Sequence, residues 1–155
     1  MLHLAGWTKV GGQSSMVRLL VFAVAALVAF DGNATEQTFP ADGGLIYFNM
    51  PTGNIGCQYT PAGGSDVYVP EDGGPELGCD RIEPTYQRFI LGKAGKARRF
   101  QNAGDTACCD GSHILSYGNS WKKGPFSCRS SKTGLSCTRS DGHGFYISRS
   151  KTEAY

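Results

Sequence analysis

Hydrophobic and polar positions fall into two regimes along the chain. From Leu19 to Phe30 the twelve residues LLVFAVAALVAF are apolar on every side and carry no charge. Beyond Ala34 short β-type segments, rich in aromatic and β-branched residues, alternate with turn signals. They are Leu45–Asn49, Ile55–Tyr59, Val67–Val69, Gln87–Leu91, Ala97–Gln101, Ile114–Tyr117, Phe126–Arg129, Leu135–Thr138 and Gly144–Ser148. Asp-Gly pairs at Asp42-Gly43, Asp72-Gly73, Asp110-Gly111 and Asp141-Gly142 mark tight turns, because both residue types tolerate positive φ. The Gly/Pro/Asp-rich segment 63–75 reads as a surface loop and the chain after Arg149 as a frayed tail. No long helical period interrupts the pattern. Many short strands with turn signals predict an all-β fold, a small antiparallel β-sandwich or barrel-like domain.

The apolar run has a different meaning. A membrane-spanning helix needs about 20 apolar residues, and twelve fit the core of an export signal instead. Arg18 precedes the run, and the small residues Gly32 and Ala34 follow it at the spacing a signal peptidase reads, which predicts cleavage after Ala34. Met16-Val17-Arg18 is a sufficient charged lead, so translation starts either at Met1 or at Met16. The predicted plan is a signal over residues 1–34, a flexible lead over 35–44, one disulfide-linked β domain over 45–150 and a tail over 151–155. After cleavage no membrane span remains. The alternative is an uncleaved anchor.

Export changes the reading of the cysteines. All six (Cys57, Cys79, Cys108, Cys109, Cys128 and Cys137) follow the cleavage point, and an even number in an exported chain reads as a disulfide framework. Cys128 and Cys137 flank a short segment with Gly134 for a turn, a span that a hairpin closes easily. They are the first expected pair, and Cys57–Cys79 the second. Cys108 and Cys109 are then either joined to each other or part of a rearranged scheme. A faint repeat runs beside this framework. Thr52–Cys57 followed by Val67-Tyr68-Val69 parallels Thr133–Cys137 followed by Phe145-Tyr146-Ile147, as an old duplication or as two hairpins obeying the same rules.

Charge adds an asymmetry. The whole chain carries a formal +2. Within it, Arg81 and Arg88 face eight carboxylates over residues 35–91, whereas residues 92–155 hold eleven Lys or Arg against four carboxylates. Mutual neutralisation on packing is the favoured reading over a bipolar binding surface. Lys93, Lys96, Arg98 and Arg99 form the densest basic run, but the small net charge argues against nucleic acid as a partner.

Candidate chemistry is sparse. Cys108, Cys109 and His113, in the run CCDGSH, are the start of a ligand set, yet no fourth ligand is evident and bridged cysteines do not ligate as thiolates. No metal and no other cofactor is expected. His113 and His143 are the histidines beyond the cleavage point, and an acid–base pair is the enzymatic alternative, with Lys122 and Lys123 steadying a phosphate. His143 in Asp141-Gly142-His143-Gly144 also suits a tight turn. Trp121, beside Lys122 and Lys123 in a loop-like stretch, is either a contact point for a partner or a lid over the core edge. The serines lack a G-x-S-x-G frame, and no phosphate loop or EF-hand spacing occurs.

The run Phe48-Asn49-Met50-Pro51-Thr52-Gly53-Asn54-Ile55-Gly56-Cys57 resembles the Phe-x-(Ser/Thr)-Pro-(Ser/Thr)-Gly-Asn-Ile-x-Cys opening of a family of small exported bacterial proteins of unknown function. Cys79-Asp80 is similar to its second cysteine. Leu115-Ser116-Tyr117-Gly118, Phe126-Ser127-Cys128, Thr133–Cys137 and Gly142–Arg149 resemble its C-terminal signature. The chain departs in the middle. The family pattern has a cysteine just before Gly104-Asp105-Thr106, where this chain has none and Cys108 and Cys109 follow instead. The resemblance implies export and a disulfide-linked fold, and no activity. The expected role is a secreted or periplasmic, non-enzymatic binding or envelope-associated module. Another envelope protein or a glycan is the expected partner, and a small hydrolase using His113 and His143 is the alternative.

Overall fold

In the computed structural model the chain divides into two units, Met1–Asp31 and Gly32–Tyr155. The structure describes residues 34–102 and 111–155, all in the second unit. The apolar run Leu19–Phe30, Cys108 and Cys109 lie outside the described residues.

Eleven strands, and no helix, make up the described residues. They are β1 (Glu36–Gln37), β2 (Ile46–Asn49), β3 (Ile55–Thr60), β4 (Glu76–Arg81), β5 (Gln87–Leu91), β6 (Arg98–Gln101), β7 (Ser120–Lys123), β8 (Phe126–Ser131), β9 (Gly134–Arg139), β10 (Gly144–Ile147) and β11 (Thr152–Ala154). They form two sheets, ordered β2-β3-β4-β5-β6 and β1-β7-β8-β9-β10-β11. Every pairing is antiparallel except the short β1–β7 contact. The expected all-β class with disulfides is what the described residues adopt.

Alternation explains the layers, since successive side chains leave opposite faces of a strand. In the five-stranded sheet, Ile46, Tyr59, Leu77 and Leu91 stand in one cross-strand row, and Phe48, Cys57, Cys79 and Phe89 in the next. All eight are buried and face the other sheet's Trp121, Phe126, Leu135 and Phe145 in one core. Phe48 lies 4.9 Å from Trp121 and Phe89 5.6 Å from Phe145, ring centroid to centroid. Burial of such large rings is the main favourable term holding the sheets together.

The two cystines among the described residues sit inside this core. Cys57 is paired across the ladder with Cys79, and Cys128 with Cys137, each with its Cα atoms 4.1 Å apart. Each joins neighbouring strands of one sheet, so neither ties sheet to sheet. Buried arginines do that at the two ends of the sandwich. Arg81 on β4 donates to the Ser148 carbonyl (3.0 Å) just after β10. Arg139 on β9 donates to the carbonyls of Gly92 and Gly95 in the β5–β6 turn, both at 2.6 Å, and to the Asp141 carboxylate.

Several expected strands are corrected. Val67–Val69 is an exposed loop segment, with Val67 83% exposed. Ile114–Tyr117 makes a single bridge to Asn49 rather than a strand. β4 and β7 form where no strand was expected. The chain after Arg149, read as a frayed tail, supplies β11 against β10. The repeat also loses its structural basis. Cys57 pairs forward to β4, Cys137 pairs back to β8, and Tyr68 lies in no strand.

Candidate functional site

The outer face of the five-stranded sheet carries a cleft of about 420 Å³. It exists because the outward positions of the central strands are small or polar. Tyr47, Gln58, Gly78 and Ile90 form one cross-strand row over β2 to β5. Gly78 contributes no side chain to that row, and a Cβ there would come within 3.2 Å of the Ile90 methyl. Thr60 and Glu76 form the row toward one end, and Asp80 and Arg88 a row toward the other. Leu45 and the β3–β4 loop, through Val67 and Tyr68, supply the walls.

The loop is held over the sheet by a specific conformation. Gly64 has φ of +85°, and a Cβ there would lie 2.5 Å from the Tyr68 carbonyl oxygen, so only glycine lets the chain fold back this closely. Ser65 N donates to that same carbonyl at 2.8 Å. The Tyr68 hydroxyl then donates to Glu76 Oε1 at 2.8 Å, which links loop to sheet.

Two carboxylates line the cleft, in opposite states. Asp80 is spent: it accepts from Arg88 Nε and an Arg88 terminal nitrogen, both at 2.9 Å, and from the Tyr86 hydroxyl at 2.6 Å. The Asp80 hydrogen bond holds the Arg88 guanidinium above its ordinary pKa. Burial first, and then the hydrogen bond it donates to Asp80, pushes the Tyr86 phenol up to about 12. Glu76 is 4% exposed, and its Oε2 accepts from none of the described residues. Burial raises its pKa above the ordinary carboxylate value, more than the Tyr68 hydrogen bond lowers it. Tyr68 is itself pushed up to about 12, by burial first and Glu76 second, and so stays a donor at neutral pH. The cleft thus offers one ionisable acceptor with capacity to spare.

The residues singled out from the sequence lie elsewhere. His113 stacks on Phe39, with centroids 5.5 Å apart, and its carbonyl accepts from Asn49 N at the β2 edge. His143 sits in the β9–β10 turn, where its N–H donates to Asp141 and its carbonyl accepts from Arg139 N. The two histidines share no partner among the described residues. Trp121 is 1% exposed on β7, packed between Phe48 and Tyr59. Of its two readings, contact point or lid over the core edge, burial favours the second: alternation turns its indole inward while Lys122 and Lys123 stay exposed. Lys122 pairs with Glu36 at 3.4 Å. Among the described residues no three His, Cys, Asp or Glu side chains cluster as metal ligands do.

Sequence reading missed the cleft because it missed β4. Glu76, Gly78 and Asp80 are poor strand formers, and they occupy the outward positions of that strand. The legible signal was the inward alternation of Leu77, Cys79 and Arg81, in which an arginine takes the place of a third apolar residue.

Residues 86–155 match the model of a family of unknown function (DUF6636). This segment holds β5 to β11 and, of the cleft lining, Arg88 and Ile90. No curated protein and no solved structure matches the chain.

Proposed function

We propose that this chain is an exported, non-enzymatic binding module and that the cleft on the five-stranded sheet is its binding site. Export is supported by the short apolar run after Arg18 with small residues at Gly32 and Ala34, which directs cleavage after Ala34. Two buried disulfides suit the oxidising compartment outside the cytoplasm or in the periplasm. The partner is a small group carried by the medium, a glycan or another envelope component, and the mature domain begins after Ala34 and includes β1 and β11.

One observation carries the binding reading. Glu76 is buried, ionisable and left with an unused oxygen in a cleft whose volume lies in the range of small-molecule sites. A carboxylate held at a cost to stability is characteristic of a functional position. A thermal-shift screen of small polar compounds tests it, with Gly78→Val, which fills the floor, as the control. Compounds that bind raise the Tm of the natural protein and leave the variant unmoved. Equal responses from both proteins would overturn the reading.

A further inference from the structure

We infer that the cleft takes an organic ammonium ion, held between the rings of Tyr47 and Tyr68 with its charge on Glu76. The inference rests on the cleft being a binding site and adds the class of ligand.

Charge bookkeeping over the acidic half of the chain is the first ground. Of the eight carboxylates in residues 35–91, four are paired: Glu36 with Lys122, Glu71 with Arg98, Asp80 with Arg88 and Glu83 with Arg149. Three of those partners come from the basic half, so packing neutralises much of the asymmetry. Among the described residues the other four, Asp42, Asp66, Asp72 and Glu76, have no ion-pair partner. Glu76 lines the cleft, and the other three belong to segments that adjoin it. Asp42 exchanges backbone hydrogen bonds with Leu45 of the cleft wall, and Asp66 and Asp72 belong to the loop that walls the cleft. Asp72 spends its carboxylate on backbone N–H groups of Gly74 and Lys93, which leaves its charge in place. Lys93, whose Nζ would lie 3.8 Å from a Cβ on Gly73 of that loop, offsets only one of these four, so the cleft and its rim carry an excess of negative charge that favours a cation.

The kind of cation follows from the donors and acceptors. A metal ion needs several converging ligands, and Glu76 is the one lining carboxylate with an unused oxygen. A neutral polyol could hydrogen-bond to Gln58 and Thr60, but it would leave the Glu76 charge unneutralised. An anion would meet Glu76 directly. To an ammonium ion the cleft offers a carboxylate oxygen of Glu76, the residues Tyr47 and Tyr68, and the apolar side chains of Leu45, Val67 and Ile90. Aromatic faces beside a carboxylate attract alkylammonium groups through the ring quadrupole, and the apolar walls accept the carbon atoms around the charge.

Groups facing Glu76 set its pH response. Tyr68, Glu71 and Asp72 come from the loop, Asp80 and Thr60 from the sheet, and Arg88 and Arg98 from β5 and β6. Both arginines are engaged with other carboxylates, so protonation of Glu76 is what removes the site's charge.

The oxidised protein recovered after export, labelled with ¹⁵N, provides the test. It is titrated separately with tetramethylammonium, 1,5-diaminopentane, 1,5-pentanediol and glutarate at neutral pH. The expected result is saturable shifts of the Tyr68, Glu76 and Gly78 amides with the two ammonium compounds. Glu76→Gln should weaken them about tenfold or more, as loss of a charged hydrogen-bond partner does, and Gly78→Val should abolish them. Equal binding of diol and diamine, or diamine binding to Glu76→Gln within about twofold of the natural protein, overturns the inference. If the diol or glutarate saturates the natural cleft and fails on Gly78→Val, the ligand class falls and the binding site stands. If no probe moves these amides, both fall. Vesicles containing phosphatidylethanolamine separate a lipid headgroup from a free amine: Glu76-dependent co-sedimentation assigns the ammonium to the headgroup, and its absence alongside diamine binding to a soluble amine.

Discussion

Glu76 shows how a single residue records a conflict between stability and use. Its carboxyl is buried opposite Thr60 with one hydrogen bond, from Tyr68, and burial lifts its pKa. The folded state then binds the Glu76 proton more tightly than the unfolded chain does. Stability from this group is greatest at low pH and falls as pH rises from the ordinary carboxylate value through the raised one. Above both values the cost of ionising a partly desolvated carboxyl remains. Glu76→Gln keeps the shape and the Tyr68 contact without the charge. We expect it to raise the Tm at pH 7, and the gain to vanish as the pH falls below the ordinary carboxylate range. Thermal melts of the two proteins across pH check this, and a Gln variant less stable than the parent at pH 7 would remove the argument. Trp121 makes the complementary point. Its neighbours Lys122 and Lys123 suggested a surface, but strand alternation places the indole in the core at 1% exposure.

Strands differ in how openly their residues announce them. Gln87–Leu91 is a strand with the very bounds its alternation predicts, because Phe89 and Leu91 face the core while Arg88 and Ile90 face outward. β2, β3, β8, β9 and β10 are legible for the same reason. β4 is not, since Gly78 and two acids occupy its outward face, and a central strand without β-branched residues is sustained by its neighbours on both sides. β11 was hidden because Lys151–Tyr155 holds no apolar run; its backbone supplies the order. Gly144 and Tyr155 exchange hydrogen bonds at 2.9 Å, and the Tyr155 carbonyl also accepts from Ala97 N. Deleting residues 151–155 strips the β10 edge of its ladder. That should cost about 2–6 kcal/mol, at about 0.5–1.5 for each of the four or more backbone hydrogen bonds lost, and leave an open edge prone to pairing between molecules. Urea unfolding and light scattering of the truncated protein measure the two effects, and an unchanged midpoint would show that β11 contributes nothing.

For the molecule as a whole, the joints are divided between covalent and non-covalent links. Each cystine closes a short segment inside one sheet, of separation 22 for Cys57–Cys79 and 9 for Cys128–Cys137. Sheet-to-sheet association rests on the aromatic core and on Arg81 and Arg139 at the two ends. Replacing either cystine by two alanines should therefore leave the sandwich and cleft intact while lowering stability by about 3 kcal/mol, slightly more for Cys57–Cys79 because its loop is longer. Denaturant midpoints with retained near-ultraviolet circular dichroism would bear this out. Loss of the native aromatic signal in either variant would mean that the disulfides hold the sheets together.

The all-β class, the two expected disulfide pairs and most of the strands were legible in the amino-acid order. Those features are written in local alternation, in turn residues and in the spacing of cysteines, which act over a few residues or across adjacent strands. The sequence also contained the short apolar run on which the proposal of export rests. Tertiary structure alone decided which polar residues share a surface. Glu76, Gly78 and Asp80 are unremarkable in order, and become a cleft because β4 sits at the centre of its sheet with Tyr47, Gln58 and Ile90 in register and the Gly64–Tyr68 loop folded above. Cross-strand register joins positions far apart in the chain, and no local pattern encodes it.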